Sequence, residues 1–201
     1  MPPATELQQS KSSPGAITPA VLRYFPLRAG YVWTYAEQVL TATQRVLLQR
    51  RVTLTIQSRH GSQYVAHWDF QSGATALPNV RYRVVRNGVQ VAYLTGDTGY
   101  TAFFYLLKAP LVPGTHWTTV YGYPVRITAV DLTCTVPAGT FRPCLETLQE
   151  ADPTPESRME TRRRFALDVG LVWQQRRLFQ QGTLVRTDTM TLQKLPEPMQ
   201  L

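Results

Sequence analysis

Three histidines and two cysteines are the residues of this 201-residue chain best suited to chemistry, and their spacing supports little of it. His60 sits in an expected Arg59-His60-Gly61-Ser62 turn, while His67 and His116 each directly precede a tryptophan. His67 and Asp69 share one face of an expected strand and could act as the base and its orienting acid in a hydrolase. A solvated polar face explains them equally well, and no G-x-S-x-G elbow accompanies them. The segment Thr95-Gly96-Asp97-Thr98-Gly99 contains the D-T-G of an aspartic protease without a second carboxylate segment, and it reads as a turn. Phosphate-cradling glycine loops are absent. The reading is therefore non-enzymatic, with no cofactor and no metal, and a hydrolase is a disfavoured alternative.

Cys134 and Cys144 flank an expected hairpin closed by Val136-Pro137-Ala138-Gly139-Thr140. A three-residue loop pairing Val136 with Thr140 puts Cys134 opposite Arg142 and Cys144 opposite Leu132. The diagonal between the cysteines is then about 7 to 8 Å, too long for an unstrained disulfide. A bulge at Pro143 would change that distance, so a disulfide and a pair of buried thiols both remain open. With nine residues between them and no adjacent histidine, the pair lacks the pattern of a zinc site.

Binding chemistry is better represented. The net charge is +8, carried by 18 Arg against only 3 Lys among the basic residues, a balance that attracts anionic partners. The arginines are spread along the chain, and only Arg162, Arg163 and Arg164 form a run; in a strand these point to alternating faces. Together with Arg176, Arg177 and Arg186 they are the candidates for an anion-binding module directed at nucleic acid or acidic glycan. No continuous nucleic-acid stripe is visible, so that module is the alternative reading. The aromatic residues offer the leading one. A strongly bent sheet can hold an apolar molecule in its concave face, and Trp33, Tyr35, Trp68, Tyr82, Tyr93, Phe103 and Trp117 are the expected lining. The competing use of the same rings is a dry core.

The elements that must position these groups are strands. Tyr, Phe and Trp lie in short runs with Val, Ile and Thr, which fit a pleated, half-buried surface. Thr18 and Pro19 provide a cap and first-turn proline for one short helix within Ile17 to Phe25. Beyond it the period becomes two: Tyr31, Trp33 and Tyr35 share a face, as do Val52, Leu54 and Ile56, and then Tyr64, Ala66, Trp68 and Phe70. Asn87-Gly88 signals a two-residue hairpin in which Arg86 pairs with Val89, Val84 with Val91 and Tyr82 with Tyr93. Thr101 to Leu107, apolar at nearly every position, suits either a strand covered on both faces or one buried helical turn, and a strand is favoured. Further strands are expected over Tyr123 to Cys134 and Thr140 to Glu150. A loop rich in Pro and acids follows at Ala151 to Glu156, and strands resume over Met159 to Leu167, Gly170 to Phe179 and Thr183 to Leu192.

The expected architecture is all-β and mainly antiparallel: one strongly curved sheet or half-barrel of about 9 to 11 strands with one short N-terminal helix. Residues 17–195 form this single domain, 1–16 a tether and 196–201 a C-terminal tail. No apolar run reaches the roughly 18 to 20 residues of a membrane-spanning helix. Met1 to Gly15 lack the apolar stretch of a signal peptide, so an export signal would lie upstream of Met1.

A repeat links two distant segments. Pro26-Leu27-Arg28-Ala29-Gly30-Tyr31-Val32-Trp33-Thr34 and Pro110-Leu111-Val112-Pro113-Gly114-Thr115-His116-Trp117-Thr118 both read P-L-x-x-G-x-x-W-T. Each has the parts of a glycine turn entering a strand that plants an indole in the core. The alternative is that the two tryptophans line opposite ends of a ligand cavity.

Tyr24-Phe25-Pro26-Leu27, Gly30, Trp33 and Tyr35 resemble the Y-F-P-L-x-x-G-x-x-W-x-Y opening of a group of bacterial cell-envelope proteins, many of them lipoproteins of unknown function. Val136-Pro137-Ala138-Gly139-Thr140-Phe141-Arg142-Pro143-Cys144-Leu145 resembles their central V-P-A-G-T-F-x-x-C-L hairpin. Asp168-Val169-Gly170-Leu171-Val172 is similar to their late G-V-G-L-V strand, with Asp in place of the first Gly. The resemblance implies an extracytoplasmic location, in the periplasm or cell envelope, and a curved sheet similar to carriers of the LolA type. It implies no activity. The combined expectation is an extracytoplasmic domain that binds an apolar, lipid-like ligand or an envelope protein partner.

Overall fold

The computed structural model describes residues 19–71, 80–95 and 99–198. The expected 1–16 tether lies outside them, as do the Gly96–Thr98 centre of the D-T-G turn and the end of the tail.

A short helix, α1 (Pro19–Tyr24), precedes twelve strands: β1 (Tyr31–Thr41), β2 (Val46–His60), β3 (Gln63–Gln71), β4 (Val80–Val85), β5 (Gly88–Tyr93), β6 (Phe104–Lys108), β7 (His116–Thr118), β8 (Pro124–Val136), β9 (Gly139–Thr154), β10 (Ser157–Ala166), β11 (Gly170–Gln180) and β12 (Thr183–Pro198). All belong to one antiparallel sheet ordered β6-β5-β4-β3-β2-β1-β12-β11-β10-β9-β8-β7. The sheet curls into a nearly closed barrel, and the two edge strands, β6 and β7, face each other across a seam. The wrap thus extends beyond a half-barrel, and the twelfth strand is the three-residue β7, too short to carry a period.

Register fixes which residues look inward. Trp33 and Tyr35 lie opposite Leu54 and Val52, which lie opposite Trp68 and Phe70; on the far wall, Phe165 lies opposite Leu145 and Leu171. Tyr35, Val52, Leu54, Ile56, Val89, Val91, Phe165 and Leu192 are buried in one continuous core. Alternation thus sorts apolar side chains to the inside, as a half-covered sheet requires. Helix α1 plugs one end: Val21 and Phe25 enter the core, and the Phe25 ring lies 5.1 Å from that of Tyr82 and 6.1 Å from that of Phe165.

The plug is tied to the β10–β11 turn by Asp168. Asp168 has φ 62°, a left-handed conformation that Asp tolerates better than most residues. Its backbone N–H donates to the Arg23 carbonyl, and its carboxylate accepts from Arg23 Nε at 2.9 Å and Nη2 at 2.5 Å.

Several local expectations need correction. In the β4–β5 hairpin Val85 pairs with Gly88, Val84 with Val89 and Tyr82 with Val91, so the loop is Arg86-Asn87 and the register differs by two residues from that expected. A two-residue shift preserves the faces, which is why Tyr82, Val84, Val89 and Val91 still point inward. Gly88 serves close approach: a Cβ there would collide with the Leu107 carbonyl oxygen and come within 2.9 Å of the Tyr105 ring. At the other hairpin Val136 pairs with Gly139, leaving a two-residue Pro137-Ala138 loop. The expected acidic loop shrinks to Pro155-Glu156, because β9 continues through Thr154; Asp152 and Pro153 sit at a register shift opposite β10, a bulge position where the missing proline N–H is tolerated. Pro196 to Pro198, expected in the tail, extend β12 to pair with Tyr31 and Val32.

Candidate functional site

The two copies of the P-L-x-x-G-x-x-W-T repeat build equivalent structures. Gly30 and Gly114 both have positive φ, 82° and 91°, and each leads into a strand whose tryptophan is buried. Trp33 Nε1 donates to the Val169 carbonyl at 2.8 Å, and Trp117 Nε1 donates to the Tyr105 carbonyl at 2.8 Å. Both indoles therefore serve as pins between elements. Tyr35 is likewise a core residue whose hydroxyl donates to the Leu171 carbonyl at 3.0 Å. Tyr82 is buried, Trp68 packs against the same core, and Phe103 lies under the Arg83 guanidinium, 4.2 Å from its ring centre. Of the seven expected lining residues, Tyr93 is the one that borders a cavity beside the β6–β7 seam.

That cavity, of about 340 Å³, lies inside the barrel beside the β6–β7 seam, away from α1. Its wall combines Tyr93, Phe104, Leu106, Tyr121, Tyr123 and Met159 with the polar side chains of Thr119, Gln149, Arg163 and Arg176. The volume reaches the lower end of the range for small-molecule sites. The Thr119–Tyr123 turn at its edge is held by a Thr119 N–H to Tyr123 carbonyl bond of 2.9 Å, and Tyr121 is 66% exposed. The interior is packed where α1 plugs it and opens into this cavity beside the seam.

The inner wall at the hollow end is polar. Glu37 of β1 pairs with Arg50 of β2 at 2.5 Å, and the Arg50 guanidinium lies 4.1 Å from the Phe70 ring centre. Asp188 accepts from Arg176 at 2.6 Å and from Arg186 at 2.6 Å. Arg163 is handled differently: its Nε donates to Gln174 Oε1 at 2.8 Å and its Nη1 to Gln149 Oε1 at 3.2 Å, and it makes no ion pair with a carboxylate among the described residues. Removal from water pulls the Arg163 guanidinium below its usual range, although an arginine keeps its charge. Burial also holds the Tyr93 phenol at the wall, and the Tyr82 and Tyr35 phenols in the core, above their ordinary value.

The six candidate anion-binding arginines divide between the faces. Arg162 and Arg164 point outward and share Glu146, at 3.0 and 2.9 Å; Arg164 also lies 4.6 Å from the Trp173 ring centre. Arg177 pairs with Glu160 at 3.7 Å on the same outer surface. Arg163, Arg176 and Arg186 point inward. Five of the six thus pair with Glu146, Glu160 or Asp188.

Cys134 lies opposite Phe141 and Cys144 opposite Leu132, so the extra residue on β9 falls at the Arg142-Pro143 step and draws the cysteines together. Both are free and buried. The neighbouring Cys134 thiol and burial push the Cys144 thiol well above its ordinary value. Cys144 Sγ also donates to the Phe141 carbonyl at 3.5 Å. Among the described residues no group of three or more His, Cys, Asp and Glu side chains could hold a metal ion. His67 and Asp69 lie on the outer face of β3, by register opposite Thr55 and Thr53.

The lining residues missed from the sequence include Phe104, Leu106, Thr119, Tyr121, Tyr123 and Met159, with Gln149 and Gln174 as partners of Arg163. Polarity alternation hides the two glutamines, because an inward polar residue leaves the same trace as an outward one.

No family model matches the chain, and no curated protein matches it. Among solved structures, the chain is similar to a Bacteroides fragilis protein described as exported and as having a YmcC-like fold. The TM-score is 0.55 at 14% identity, over 86% of this chain and 98% of that one. A Parabacteroides distasonis protein described as a lipoprotein aligns with TM-score 0.49 and 12% identity over 86% of this chain and 97% of that one. The first likeness shows the fold: a YmcC-like antiparallel barrel.

Proposed function

We propose that this barrel is a non-enzymatic binding module of the cell envelope that takes a small, largely apolar molecule into its interior. The observation that carries the reading is the cavity of about 340 Å³ walled by Tyr93, Phe104, Leu106, Tyr123 and Met159. A pocket of this kind, mainly apolar with a few fixed polar groups, is the usual form of a small-molecule site. An extracytoplasmic setting is supported by the cell-envelope motifs and by the exported protein that shares the fold.

Calorimetric titration with decanol tests the reading. Saturable binding at one site is expected, lost in Met159→Trp, whose indole would fill the space. Saturable binding of neither decanol nor its carboxylate counterpart decanoate, or binding undiminished by the filled cavity, would overturn it.

A further inference from the structure

We infer that the molecule taken into the barrel is an amphiphile with an anionic oxygen head, and that Arg163 is the residue that binds the head. This rests on the binding reading above and specifies its ligand.

The argument begins with donor counting. A guanidinium has five N–H donors. Arg163 uses one from Nε on Gln174 and one from Nη1 on Gln149, which leaves one on Nη1 and both on Nη2 without a protein acceptor among the described residues. Every buried side-chain nitrogen or oxygen sealed from solvent has a partner among those residues, so the spare Nη2 borders open space, and Arg163 lines the cavity. The two glutamines fix the plane of the guanidinium and contribute no charge.

Charge accounting points the same way. Two guanidinium groups line the cavity, Arg163 and Arg176. Arg176 is paired with Asp188, which it shares with Arg186. Glu37, the other inward acid of this pole, is matched to Arg50. Among the described residues, four inward arginines therefore meet two carboxylates, and the surplus includes the one at the cavity wall. A cation drawn out of water without a counter-ion is costly unless something compensates it. A carboxylate, sulfate or phosphate monoester head would do so with charge-assisted, paired hydrogen bonds. The aromatic wall opposite, with Tyr93, Phe104 and Tyr123, would cover the tail.

A head-group series on one tail tests this by calorimetry: decanoate, decanol and decylamine, with inorganic phosphate as the head without a tail. Decanoate is expected to bind the wild-type protein at least about tenfold more tightly than decanol, with decylamine and phosphate weaker than either. In Arg163→Met the advantage of decanoate should vanish while decanol binding is unchanged, and Arg163→Lys should restore part of it. Equal binding of decanoate and decanol to the wild type would overturn the anionic head while leaving the cavity reading intact. Phosphate as tight as decanoate would overturn the amphiphile. If neither decanoate nor decanol binds, the cavity reading falls and this inference with it. The wild-type series decides the matter even if Arg163→Met does not fold.

Discussion

The indole N–H of Trp117 donates to the main-chain carbonyl of Tyr105 across the seam between β7 and β6. These two strands are the open edges of the sheet, so a side chain does there what a ladder of backbone bonds does elsewhere in the barrel. Trp117→Phe should leave that carbonyl unsatisfied and cost about 1–3 kcal/mol. Urea denaturation would measure the loss, and hydrogen exchange should quicken in β6 and β7 before it quickens in β1 or β12. Uniform acceleration throughout the sheet would contradict a seam-specific role.

Gly88→Ala should destabilise the β5–β6 edge by about 1–3 kcal/mol. The added methyl meets the Leu107 carbonyl and the Tyr105 ring at once, and main chain yields less readily than the end of a flexible side chain. Thermal melting would register the loss; a neutral substitution would mean that β6 can move away freely.

Phe165→Ala should cost about 3–5 kcal/mol, since the ring is fully buried and packs against the helical plug through Phe25. Tyr35→Phe keeps the ring and removes one buried hydrogen bond to Leu171, so about 1–3 kcal/mol is expected. The comparison, made by chemical denaturation, separates packing from polar satisfaction in one core.

Acid should weaken the outer ion network. Burial pushes the Glu146 carboxyl up, but hydrogen bonds from Arg164, Thr128 and Arg162 outweigh it and leave the group below its ordinary value. Glu150 is held down first by Arg126, against the upward push of burial, and then by Arg158. A carboxyl whose pKa is lower in the folded state contributes stability above its unfolded value, about 4.3, and loses it as pH falls through the folded one. The urea midpoint should therefore decline below about pH 4.3, with a shallower decline in Glu146→Gln. An unchanged slope in that variant would exclude the Glu146 cluster as the cause.

Burial should make both thiols slow to react. Iodoacetamide is expected to leave Cys134 and Cys144 unmodified in the folded protein and to label both in guanidinium. A chain whose cysteines are joined would show no thiol in denaturant until reduced, which distinguishes the paired thiols from a disulfide by mass spectrometry.

Much of the barrel was readable in the chain because strand alternation is a local property. Tyr31, Trp33 and Tyr35, or Tyr64, Ala66 and Trp68, declare a face without reference to any partner. The repeated P-L-x-x-G-x-x-W-T declared two equivalent turns. Register was less accessible: the Asn87-Gly88 signal located a hairpin but not which two residues form its loop, because Gly88 answers to the approach of β6, a contact from elsewhere in the chain.

What the sequence determined by itself was the element type, the antiparallel sheet and the inward placement of its apolar rows, since each depends on neighbours one or two positions away. Closure, the seam and the hollow pole were decided only in the tertiary structure. Met190 and Leu192 share their parity on β12 with Asp188 and Arg186, so the same inward row turns from oily to charged along one strand. Which polar residues face solvent and which face an enclosed space depends on what the opposite wall supplies. Gln174, Gln149 and Arg163 come from three strands, and no local pattern joins them.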